Sequence, residues 1–243
     1  MGYWYYMALP ALRRVKIPSA RAMFVEKRVA GVDEAGKGPV LGPMLVACVV
    51  ADEHTLSSLK ALGVKDSKRL SPAMRSKLAV RIEQMAEVHL LELLPQDIDY
   101  MRARITMNLV MVHCFSELLF RACADVAYVD AADVNEKRFA SRLMENISER
   151  GCFTEVVASH RADAHIPIVS AASIVAKVHR DAAISKLASK YHRRIGSGYP
   201  SDPRTVSFIR GWIAENGTVP PCARATWATC ARLLKDAAQS RSE

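Results

Sequence analysis

Four carboxylates stand where this chain of 243 residues changes direction. Asp33 and Glu34 are adjacent, between the apolar run RVAGV and the turn-rich AGKGPVLGP. Asp130 closes the short run AYVD, and Asp163 follows EVVASH in HRAD. One acid alone reads as a solvated surface residue, which is how we read Asp125 and Asp133. A pair between apolar and glycine-rich flanks is different, because carboxylates crowded together repel unless a cation compensates. Hard divalent cations such as Mg²⁺ take oxygen ligands. Two of them about 3.5–4 Å apart can activate a water and stabilise the leaving oxygen in phosphodiester hydrolysis. Strand alternation sends Asp33 and Glu34 to opposite faces, so both serve one centre only if the strand ends there. The glycine-rich turn supplies such an end.

The elements that must carry these acids follow from apolar spacing. Arg28–Val32 and Met44–Val50 read as strands joined by a glycine- and proline-rich hairpin loop. Ser71-Pro72 reads as a helix cap with proline in the first turn, followed by Leu78, Ile82 and Met85 at helical spacing. Val88–Leu94, Ala127–Val129 and Thr154–Ala158 read as strands. Ile105, Leu109, Val112, Phe115 and Leu119 mark an amphipathic helix, and Phe139, Leu143 and Ile147 another. Ile174, Val175, Val178 and Ala182 continue as a helix into a basic tail. Ser201-Asp202-Pro203 opens a helix with Val206, Ile209 and Ile213, and Trp227, Ala231 and Leu234 mark the last. Strands in a meander, then strands alternating with helices, imply an α/β fold with a mixed sheet flanked by helices. The domain organisation expected is a loosely ordered extension over 1–22, a catalytic domain over 23–195 and a small C-terminal helical subdomain over 196–243.

The charge is uneven. The chain carries +9 overall, of which +4 lies in residues 1–22, −2 in 23–158, +5 in 159–194 and +2 in 196–243. Acids among glycines, in a chain otherwise basic, suit a polyanionic substrate: bases hold phosphates while acids hold metal. Composition excludes disordered and collagen-like chains, and no apolar run approaches the ~20 residues of a membrane span. The six cysteines include no C-x-x-C pair, so zinc-ribbon and thioredoxin readings lack support. They read as reduced thiols of a cytoplasmic protein.

Five motifs in order, GVDEAGKGPVLGPM at 31–44, DSKRLSP at 66–72, YVDAADV at 128–134, HRADAHIPIVSAASIVAKVHRD at 160–181 and GSGYPSDPRT at 196–205, resemble the ribonuclease HII family, with wording nearest its archaeal members. The resemblance spans about residues 26 to 235. It implies a ribonuclease H-like fold. It also implies cleavage of the RNA strand of RNA–DNA hybrids and nicking 5′ of single ribonucleotides in duplex DNA, leaving 5′-phosphate and 3′-hydroxyl ends. It implies a monomer that uses Mg²⁺ or Mn²⁺ and needs no membrane. By motif, the catalytic metal-binding acids are Asp33, Glu34, Asp130 and Asp163. Asp181 is read as a supporting residue.

Such an enzyme must detect a 2′-hydroxyl, the group that separates RNA from DNA. Gly36-Lys37-Gly38 is similar to the family's Gly-Arg-Gly segment, whose backbone does this. Lysine at 37 keeps the charge and loses the bidentate fork. Tyr199 matches the tyrosine that stacks on the sugar beside the junction. Lys68 and Ser173 match polar residues near the substrate backbone, although Ser173 fits a helix-packing role equally. The basic run Lys177, Arg180, Lys186, Lys190, Arg193 and Arg194 fits either a solvated helix face or a phosphate-tracking one. His160 and His165 are read as binding no metal. The alternatives are a non-catalytic nucleic-acid-binding module and another ribonuclease H-like nuclease acting on DNA.

Overall fold

A computed structural model describes residues 13–16, 27–64 and 70–239. Among these described residues six strands form one sheet: β1 (Arg13–Lys16), β2 (Val29–Ala35), β3 (Met44–Ala51), β4 (Glu87–Leu93), β5 (Val126–Asp130) and β6 (Glu155–Ser159), in the order β1-β4-β3-β2-β5-β6. β2, β3 and β4 make the antiparallel meander, and β5 and β6 run parallel to β2. Four residues of the segment expected to be a loose extension thus form an edge strand, paired antiparallel with β4.

The sheet faces are covered by helices placed as their caps dictate. On one side lie α4 (Met107–Ala122) and α5 (Glu136–Ser148), whose Phe115, Leu119, Phe139 and Leu143 pack with Ala30, Val32 and Val46. On the other lie α1 (Glu53–Ala61), α2 (Pro72–Met85) and α7 (Pro167–Tyr191), packing against Ala35, Ala47 and Val49. β3 is buried along its whole length because both faces are covered. Ser71 caps α2 by accepting from the Met74 amide, with Pro72 in the first turn. Asn135 caps α5 through the Arg138 amide. After α7, α8 (Pro203–Asn216) and α9 (Ala228–Gln239) enclose a third apolar cluster with Val40 and Leu41 of the β2–β3 loop. All six cysteines are free thiols, and only Cys123 is exposed. Among the described residues no helix is long and apolar enough to cross a membrane.

Three helices have no counterpart in the sequence reading: α1, α3 (Pro95–Arg102) and the single-turn α6 (Ala162–His165). Each is short. α1 and α3 are nucleated by local caps, the Asp52 side chain on the Thr55 amide and the Asp97 carboxylate on the Leu94 amide. Asp133 corrects an expectation: it is buried, because the Arg138 guanidinium and the Asn135 amide close over its carboxylate.

The tightest contact is between α7 and β2. A Cβ on Gly31 would stand 2.4 Å from the Ile168 carbonyl carbon and oxygen and 2.7 Å from the Val169 nitrogen. Backbone atoms cannot rotate away as a side-chain tip does, so Gly31→Ala must push helix and strand apart. The expected cost is about 3 kcal/mol, the upper end for an overpacked core, read as a lower urea midpoint. A loss under about 0.5 kcal/mol would show that the helix can shift freely.

Candidate active site

The carboxyl ends of the three parallel strands open into one crevice, where open α/β sheets bind ligands. Asp33 and Glu34 leave β2 there, Asp130 ends β5, and Asp163 sits in the first turn of α6 just after β6. The four acids line a single cavity of about 320 Å³, together with Gly36, Lys37, Gly38, Ser173 and Tyr199. Arg75, Lys177 and Arg180 line it as well. Lys68 lies outside the described residues.

The adjacent pair reaches one cavity by a route different from the one expected. β2 does not stop at Asp33, since its ladder with β3 continues through Ala35. What stops is the ladder with β5, at Val32–Val129. Gly31 and Asp33 face α7, and alternation puts Glu34 on the α4 side. There its charge adds to burial and to Glu117 in pushing up the Cys114 thiol. With no β5 partner beyond Val32, Glu34 still reaches the cavity around the open flank of β2.

Local bonds hold the other acids. The Ala162 amide donates to Asp130 Oδ1 at 2.8 Å, tying the end of β5 to the start of α6. Arg161 turns the chain there in the left-handed region, φ +58°, which few non-glycine residues adopt. That reversal folds Asp163 back toward the strand ends, where it is buried. The Glu34 amide donates to Asp33 Oδ1 at 2.7 Å.

Electrostatics follow from crowding. Burial holds the Asp33 carboxyl well above its usual range, helped by the charges of Glu34 and Asp130 and opposed by hydrogen bonds from Ser173 and the Glu34 amide. Ser173 therefore serves Asp33 directly, and is more than helix packing. Glu34 is also raised, first by burial and then by Asp130, against the pull of Lys37. The Lys37 ammonium is anchored on the Ala132 carbonyl at 2.9 Å.

The basic helix is only partly a solvated face. Arg180 is buried, donates to the Ser197 carbonyl at 2.7 Å and lies 5.4 Å from the Tyr199 ring centroid. Lys177 pairs with Asp181 one turn further along the helix, at 2.7 Å. Tyr199 itself stays exposed, beside Gly38. Sequence reasoning missed Arg75, one turn into α2, and Arg224, which is wholly buried behind the glycine turn. Arg75 follows DSKRLSP closely enough to have been suspected. Arg224 sits alone in a loop and carries no local signal.

The family model described as ribonuclease HII matches residues 30–230. The chain belongs to the ribonuclease HII family. It is 48% identical over 206 residues to the ribonuclease HII of Methanothrix thermoacetophila, covering 84% of this chain and 96% of that one. The crystal structure of the ribonuclease H2 from Pyrococcus horikoshii OT3 superposes with a TM-score of 0.81 at 41% identity, covering 87% of this chain and 99% of that chain. A crystal structure of Bst-RNase HIII in complex with Mn²⁺ shares the fold, with a TM-score of 0.75 at 19% identity over 88% of this chain and 71% of that chain. The chain is thus a ribonuclease of the H type, an endonuclease and hydrolase, on a mixed sheet flanked by helices with a helical C-terminal segment.

The raised Asp33 carboxyl has a measurable sign. It holds its proton more tightly in the folded chain than in the unfolded one. Without metal, stability therefore falls as pH climbs from the ordinary aspartate range, about pH 4, through the raised one. Asp33→Asn removes that penalty. In chelator, its melting temperature is expected to exceed the parent's at neutral pH, with the gain shrinking toward about pH 4. A gain independent of pH would assign the effect to the amide's hydrogen bonds instead.

Proposed function

We propose that this ribonuclease cleaves the RNA strand of RNA–DNA hybrids and nicks 5′ of single ribonucleotides in duplex DNA, with divalent cations, Mg²⁺ or Mn²⁺, held by Asp33, Glu34, Asp130 and Asp163. The observation that carries it is the shared cavity: four acids, a glycine turn and an exposed tyrosine on one wall. The donor set fits the cations. All four donors are hard carboxylate oxygens, and burial beside one another leaves Asp33 and Glu34 reluctant to ionise without a compensating charge. Among the described residues no three such side chains stand together so as to hold a metal ion; donor chemistry and the shared lining support the reading. Such ions, when bound, supply an activated water and neutralise the leaving oxygen.

The chain's own residues do the rest. Ser173 and the Glu34 amide orient the Asp33 carboxylate, and the Ala162 amide orients Asp130. Lys37, Arg75, Lys177 and Arg180 give the cavity wall positive charge for phosphates. Lys37 is already committed to the Ala132 carbonyl, so its contribution to phosphate binding is electrostatic. A Cβ on Gly38 would stand in van der Waals contact with the Tyr199 ring, at 3.8 Å, so the glycine turn and the exposed ring are neighbours in the cavity lining and a ribose stacked on that ring would lie beside the turn.

The first test is duplex DNA bearing one ribonucleotide, incubated with Mg²⁺ or Mn²⁺ beside Asp33→Asn. The parent is expected to nick 5′ of the ribonucleotide, and the variant to be slower by about 10³-fold or more, as for loss of a group acting in the transition state. A metal-independent nick, or equal nicking by the variant, would sink the proposal. The second concerns Tyr199→Ala. It should weaken cleavage at a single ribonucleotide more than cleavage of a long hybrid, and equal losses in kcat/KM would remove the stacking role.

A further inference from the structure

Among the described residues Arg224 is the largest wholly buried side chain, and its guanidinium spends its donors on backbone carbonyls. Nη2 donates to Gly36 O at 2.6 Å and to Gly42 O at 3.1 Å, Nη1 to Lys37 O at 3.0 Å, and Nε to Gly42 O at 3.2 Å. Trp227 Nε1 takes the next carbonyl, Gly38 O, at 3.1 Å. Burying a guanidinium is costly. Burial also lowers its pKa to about 10. Simple filling of the space would be served better by an apolar residue.

The segment carrying Arg224 is itself fixed. Its amide donates to the Val40 carbonyl at 2.9 Å, and the Gly42 amide donates to the Cys222 carbonyl at 2.9 Å. From the other side, Asp99 on α3 accepts from the Ala225 and Thr226 amides at 2.7 and 3.1 Å. The guanidinium therefore arrives from a rigid support.

In a trans peptide the N–H points opposite to the C=O, and the described residues contain no cis bond. With the Gly36 and Lys37 carbonyls turned onto Arg224, the Lys37 and Gly38 amides point the other way. That side is the cavity, which Gly36, Lys37 and Gly38 line. We infer that Arg224 is a positioning residue for ribose recognition: it sets the peptide planes of the glycine turn so that the Lys37 and Gly38 amides face the substrate, while Trp227 anchors the far end of the turn through the Gly38 carbonyl, whose peptide partner Pro39 carries no N–H. The inference rests on the proposed reading of this turn as the ribose-sensing element.

The test is binding rather than turnover, in an Asp33→Asn background that keeps substrate intact. Fluorescence anisotropy compares duplex DNA bearing one ribonucleotide with the same duplex all-deoxy. Lysine cannot hold three carbonyls with a planar fork. Arg224→Lys is expected to cut the preference for the ribonucleotide duplex by about tenfold, the worth of one or two hydrogen bonds, while affinity for the all-deoxy duplex stays put. Trp227→Phe frees only the Gly38 carbonyl and should cut it by about threefold; it carries the test should Arg224→Lys fail to fold. An unchanged preference in a folded variant overturns the inference. So does an equal loss of both affinities with a lowered melting temperature, which marks a purely structural role. Absence of any preference in the Asp33→Asn parent overturns the reading of the turn itself, and the inference with it.

Discussion

Helix α7 lies so close to β2 that only hydrogen fits at residue 31. From that contact the rest of the site takes its dimensions. Asp33, two residues on, faces the same helix, and Ser173, farther along α7, reaches it with a hydrogen bond. Lys177 and Arg180 follow one and two turns later and bring positive charge to the same cavity. A side chain at residue 31 would lift the helix and part every one of these pairs together. Close packing of this kind makes a core resist small displacements rather than yield to them.

The site sets two needs against each other. Four acids share one cavity, and the chain must still fold around them. Burial and neighbouring charge raise the carboxyls of Asp33 and Glu34 above their usual range, so each gives up its proton less readily than a free carboxyl. Lys37 and the amides of Glu34 and Ala162 offset part of the crowding. Of the positive residues lining the cavity, Arg180 is bonded to the Ser197 carbonyl and Lys177 is paired to Asp181, whereas Lys37 acts on Glu34 itself.

Much of this was legible in the amino-acid order, because the deciding features were local. Strands ending in acids, a glycine turn and a capped helix all leave marks within a few residues, and the mixed sheet followed from their order. The five separated motifs added what spacing alone leaves open. What the order concealed was long-range. Alternation placed Asp33 and Glu34 on opposite faces, and only the early end of the β5 ladder lets both serve one cavity. Asp133 read as a solvated acid because its cover, Arg138, belongs to the next helix. Arg224 lies 188 residues from the Gly36 carbonyl it holds, and an isolated arginine in a loop carries no period or motif.

That distance along the chain also orders events in time. The strands bearing the first acids leave the ribosome early, and chains fold from the N-terminal side as they emerge. The Gly36–Gly42 turn can make its bonds to Arg224 only after nearly all of the described chain has been synthesised. A nascent chain can therefore hold all four acids of the cavity well before its glycine turn is locked, and a late part of the chain completes an early one.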